Sequence, residues 1–112
     1  MRLALLAVLV CCGCGPAPET CPNDLPAKCP TKPPSYRTQV ASLLERRCVA
    51  CHQAGGSAGD RPLDAYDAVF ARRSTVLTQI YGCVMPPSDA GALSSGERAV
   101  VLGWLVCDAP DN

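Results

Sequence analysis

Apolar positions fall into three regimes along the chain. Leu3 to Val10 is an unbroken run of eight apolar residues behind Met1-Arg2, closed by Cys11, Cys12, Gly13 and Cys14. A membrane span takes roughly 20 apolar residues, so this shorter run reads as an export signal over residues 1–13. Residues 14–34 show neither helical nor strand period, and Pro16, Pro18, Pro22, Pro26, Pro30, Pro33 and Pro34 make them an extended, Pro-rich tether. From Ser35 the period turns helical. Val40, Leu43, Leu44 and Cys48 stand at i, i+3, i+4 and i+8 behind Ser35, which suits an N-cap. A glycine-rich loop with Gly55, Gly56 and Gly59 follows. Asp64 can cap a second helix to about Arg72, with Tyr66, Val69 and Phe70 on one face. A third is expected from Thr75 to Tyr81, with Val76, Leu77 and Ile80 inward, ended by Gly82 and barred from resuming by Pro86-Pro87. Ser94-Ser95-Gly96-Glu97 is a capping box for a last helix to about Cys107 that buries Val101, Leu102, Leu105 and Trp104. No stretch alternates apolar and polar residues long enough to make a strand. The expected fold is a small all-α domain of about four short helices over residues 35–112.

Composition narrows the chemistry. The chain has 112 residues, one small domain by length, with ten Lys plus Arg against ten Asp plus Glu. That balance leaves no basic face for nucleic acid. One Phe and one Trp make a thin core, so something else is expected to fill the middle. Seven of the nine cysteines follow the export signal, and they point to an oxidising compartment, where disulfides persist. The N-terminal stretch is similar to a lipoprotein signal, in which the modified cysteine follows a small residue. The resemblance implies lipid on Cys14, after Gly13, and a bacterial periplasmic or outer-membrane location held by that anchor.

The candidate chemistry is concentrated in one pentapeptide. Cys48-Val49-Ala50-Cys51-His52 is C-x-x-C-H, the attachment signature of c-type haem. Two cysteines three apart at a helix end can form thioethers to the two vinyl groups of one porphyrin, and the adjacent His then offers its imidazole to the iron. From about Ser35 to Pro110 the chain resembles a class I cytochrome c domain: a helix running into C-x-x-C-H, a Gly-rich loop, a later loop carrying Met, and a closing helix. The resemblance implies four short helices around one covalently bound haem, with His52 as the proximal ligand. It implies Met85 as the distal ligand, 33 residues past His52 and the one methionine left after signal removal. It also implies that the backbone carbonyl of Pro62 accepts a hydrogen bond from the other ring nitrogen of His52, fixing the ring. Leu44 and Trp104 are expected where the first and last helices cross. The implied function is one-electron transfer between redox partner proteins, without enzymatic turnover.

With Cys14 assigned to lipid and Cys48 and Cys51 to haem, Cys21, Cys29, Cys83 and Cys107 remain for disulfides. The favoured pairing is Cys21–Cys29 within the tether and Cys83–Cys107 in the domain, with the other pairings open. Four alternatives compete. A zinc site could use Cys48, Cys51, His52 and Cys83, but lacks a second ligand knuckle. A thioredoxin-like dithiol needs a fold with strands. A haem-free, disulfide-stapled binding lipoprotein would place Cys48 and Cys51 in disulfides. A haem with an open sixth site, peroxidase-like or sensing, needs a polar distal group, whereas Arg72 and Arg73 read as a solvated helix end.

Overall fold

The computed structural model describes residues 20–112; the expected signal, Cys14 and the first part of the tether lie outside them. Among the described residues the chain is helical and without strands. Ser35 caps the first element as expected, its hydroxyl accepting from the Thr38 amide at 3.3 Å. The opening turn, Tyr36–Val40, is a wider π-turn that runs directly into α1 (Ala41–Arg47). The next helix, α2, spans Tyr66–Ala71. Asp64 does not cap it. Extended Ala65 occupies the cap position with no side-chain bond, and Asp64 stands one residue too early. Helix α3 covers Arg73–Tyr81, two residues longer at its start than its apolar positions suggest. Gly82 ends it, although the left-handed residue is the following Cys83, at φ 57°. After a short 3-10 turn at Ser88–Ala90, α4 runs over Ser95–Val106 with both halves of its capping box formed.

Arg72 and Arg73 are less solvated than their sequence suggests. Arg72 donates to the Ala68 carbonyl at the end of α2. Arg73 lies over the Phe70 ring at 4.0 Å and pairs with Asp108 at 2.8 Å, which offsets its place at the positive end of α3.

Helix α4 is the spine of the core. It packs on α3 and on the π-turn, and buries Val101, Leu102, Trp104 and Leu105 against Val40, Leu43 and Leu44. Trp104 is fully buried, and its indole N–H donates to the Pro110 carbonyl at 2.9 Å, so no polar group is stranded. Tyr36 bridges Trp104 and Tyr66, with ring centroids 5.5 and 4.9 Å away.

The disulfide pairing differs from the favoured one. Cys21 bonds Cys83 and Cys29 bonds Cys107, across 62 and 78 residues, with Cα atoms 5.8 and 4.7 Å apart. The reason is that residues 20–34 lie against the helices and form a strap. Pro34 and Pro30 pack on Gly103 of α4, where a side chain would meet the Pro34 ring at 3.3 Å. Asp24 pairs with Arg98, and Asn23 accepts from the Tyr81 hydroxyl. So placed, Cys21 and Cys29 each reach a helical partner before each other. Disulfides of this kind fit an oxidising compartment, and no helix of the described residues is long and apolar enough to cross a membrane.

Candidate cofactor site

Helix α1 delivers the pentapeptide. Its last turn closes with the Cys48 and Val49 amides both donating to the Leu44 carbonyl, at 2.8 and 3.0 Å. A tight turn follows, in which the Cys51 and His52 amides share the Cys48 carbonyl at 3.2 and 3.0 Å. This returns Cys51 and His52 to the side of the chain that carries Cys48. The glycine loop then folds back on the turn, with the Ala58 amide donating to the Cys51 carbonyl at 2.9 Å. Gly56 makes that approach possible, because a Cβ there would collide with the same carbonyl.

His52 is held from behind. Its Nδ1 is 2.7 Å from the Arg61 carbonyl, and a carbonyl can only accept, so Nδ1 carries the hydrogen. In the neutral imidazole this leaves Nε2 with its lone pair, the form that binds iron. The accepting carbonyl is therefore that of Arg61 and not of Pro62. The Leu63 amide donates to the His52 carbonyl at 2.9 Å, and this return bond sets the register of the segment so that the residue before Pro62 faces the ring.

Cys48, Cys51, His52 and Met85 line one cleft of about 770 Å³. Val76 and Ile80 of α3, with Leu44, Leu63 and Leu93, give it an apolar lining, and Pro86 and Pro87 continue the Met85 side. Met85 is brought there by its own backbone, since the Val84 and Met85 amides both donate to the Gln79 carbonyl at 2.9 and 3.0 Å. Arg46, Arg47, Arg61 and Arg72 also line the cleft, and among the described residues no Asp or Glu does. The cleft thus combines an apolar body with cationic groups, a combination suited to a flat apolar molecule bearing carboxylates.

Cys48 and Cys51 are free while the other four described cysteines are paired. Burial pushes the Cys48 thiol up to about 11, so at neutral pH it is a protonated thiol. Cys83 is bonded to Cys21 and cannot be a fourth zinc ligand. Among the described residues no group of three or more His, Cys, Asp or Glu is placed to hold a metal ion.

Two charged residues near the site were not expected from the pattern. Arg47 donates to the Gly91 and Ala92 carbonyls at 3.3 and 2.6 Å, and faces Glu97 at 3.6 Å. Arg98 is buried on α4, at i of the stripe that continues with Val101, Leu102 and Leu105. A cation in register with an apolar face is a readable signal for a buried ion pair. No family model, curated protein or solved structure matches the chain.

Proposed function

We propose that the chain is an exported c-type cytochrome that carries one electron at a time between redox partner proteins. Cys48 and Cys51 would hold haem through thioethers, and His52 and Met85 would bind its iron. The observation that carries this reading is the convergence of four residues on one apolar cleft: two free thiols, a histidine oriented by the Arg61 carbonyl, and Met85. The residues fit the group in size, polarity and donor set, and the arginines suit its two carboxylates. When bound, the group supplies a one-electron couple at iron.

The chain's own contribution is positional. The Arg61 carbonyl fixes the imidazole and makes it a stronger donor, which favours the ferric state. The Met85 thioether, as an iron ligand, would favour the ferrous state and raise the potential. The bonds from Val84 and Met85 to Gln79 hold the loop, so that less chain entropy is lost when the sulfur binds. The apolar lining keeps water from the iron and further raises the potential. A lipid on Cys14 would hold the protein at a membrane surface within reach of its partners.

The test is an absorption spectrum of protein exported together with a haem-attachment system, read oxidised and reduced. Haem that survives acid-acetone extraction, with a sharp reduced α-band and the weak far-red band of methionine-ligated ferric haem, is the expected result. Covalent haem without the far-red band would replace the carrier with an open-site enzyme or sensor. Protein without haem would overturn the proposal.

A further inference from the structure

Three of the first five described strap residues grip one short stretch of chain. Cys21 is bonded to Cys83, two residues before Met85. Asn23 accepts from the Tyr81 hydroxyl at 2.6 Å. Asp24 receives two hydrogen bonds from the Arg98 guanidinium, at 2.7 and 2.8 Å. That guanidinium, only 6 % exposed, also donates to the Ile80 carbonyl at 2.8 Å and the Tyr81 carbonyl at 3.4 Å. These are the last two carbonyls of α3, that of Ile80 accepting also from the Cys83 amide at 3.1 Å. Arg98 therefore ties the strap to the end of α3, and it borders a small cavity shared with Met85, Pro86 and Leu93. The Met85 amide in turn hangs from Gln79, in that same last turn.

We propose that Arg98, Asp24 and the Cys21–Cys83 disulfide are positioning residues for the distal ligand: the strap sets where the Met85 loop stands. Bonding of the Met85 sulfur to iron then depends on residues 21–24 as well as on the loop itself. The inference rests on the haem reading above. The second disulfide, Cys29–Cys107, anchors the other end of the strap to the C-cap of α4 and is bonded to neither the loop nor the end of α3, so it serves as the internal control.

The experiment uses the full chain, exported and haem-loaded, as wild type, Asp24→Asn, Arg98→Lys, Cys21→Ala/Cys83→Ala and Cys29→Ala/Cys107→Ala. The readouts are covalent haem, far-UV helicity, the far-red band of the ferric protein, the midpoint potential and carbon monoxide binding by the ferrous protein. Arg98→Lys and Cys21→Ala/Cys83→Ala are expected to keep haem and helicity, lose most of the far-red band, shift to lower potential and bind carbon monoxide. Asp24→Asn, which keeps the guanidinium, is expected to do so in part. Cys29→Ala/Cys107→Ala is expected to keep the band. Because Asp24 lies on the strap and outside the helices, its variant remains informative if the Arg98 variant does not fold. A far-red band unchanged in Asp24→Asn and Cys21→Ala/Cys83→Ala, or lost equally in Cys29→Ala/Cys107→Ala, overturns the inference while leaving the haem reading intact. A wild type that carries haem without the band overturns the inference, and one without haem overturns both.

Discussion

Gly55 and Gly56 are neighbours in one loop, yet their replacement by alanine should fail for different reasons. Gly55 has φ +82°, and a Cβ built on it meets nothing within 4 Å. The cost of Gly55→Ala is then conformational, about 1–2 kcal/mol for an L-residue held in the left-handed region. Gly56 carries no such φ. A Cβ there would overlap the Cys51 carbonyl oxygen and stand 2.8 Å from its carbon and 3.0 Å from the Ala50 oxygen. Those atoms are backbone, fixed by the bonds from Cys51 and His52 to Cys48 and from Ala58 to Cys51, so relief requires moving the attachment turn itself. Overpacking of this kind costs about 1–3 kcal/mol. In a domain of this size each kcal/mol is worth roughly 4–8 °C of melting temperature, so both variants should melt visibly lower than wild type. The separating assay is the yield of covalent haem per folded protein. Gly55→Ala should load as wild type does, because nothing next to the cysteines moves. Gly56→Ala should load poorly even at low growth temperature. Equal loading of the two variants would refute the assignment of Gly56 as the residue that lets the loop close on the attachment turn.

Other consequences can be measured directly. The Arg98 guanidinium holds the Asp24 carboxyl below its ordinary value of 3.8. Its stabilising contribution is complete above about pH 4 and is lost as pH falls through the depressed folded value, so urea midpoints should drop on acidification less steeply in Asp24→Asn than in wild type. Trp104→Phe removes the indole bond to Pro110 and some buried volume; it should cost about 1–3 kcal/mol in urea unfolding and leave the haem spectrum unchanged, because Trp104 does not line the cleft. Met85→Leu should keep covalent haem, lose the far-red band and lower the midpoint potential, as read by spectroelectrochemistry.

The elements that came through from the sequence were those with local causes. Ser35 and the Ser94–Glu97 box cap their helices because both partners lie within four residues. The buried faces of α1 and α4 followed from apolar period alone. What stayed hidden depended on contacts between distant segments. Any residue can offer a carbonyl, so nothing in the sequence distinguishes Arg61 from Pro62 as the acceptor for His52. The cysteine pairing failed for a related reason. Spacing favours the short Cys21–Cys29 loop, since loop closure costs less entropy over eight residues than over 62 or 78. Prolines packed on Gly103 and the Asp24–Arg98 pair bring the strap onto the helices and outweigh that advantage. The one clue was Arg98 itself, a cation standing on an apolar stripe whose counter-charge had to come from somewhere. Haem attachment and iron ligation are questions of chemistry that the spectra above decide.

The thin core noted in the sequence divides along a line visible in the structure. Leu44, Leu63, Val76, Ile80 and Leu93 border the cleft, whereas Val40, Leu43, Val69, Val101, Leu102, Trp104 and Leu105, in the same core, do not line it. Haem in the cleft, as proposed, would cover the first set and do little for the second. The second set also has the Cys29–Cys107 bond close by, and cross-links over loops of this length stabilise a domain by roughly 4 kcal/mol in the chain-entropy account. Loss of the cofactor should therefore loosen the molecule unevenly. In the Cys48→Ala/Cys51→Ala protein, hydrogen exchange should be fast through α3 and the Met85 loop, which face an unfilled apolar cleft, and slow in α4, where the amides sit behind Trp104 and Leu102. If protection fell equally in α3 and α4, the two halves of the core would be a single cooperative unit, and the cleft would be as necessary to α4 as to the helix that walls it.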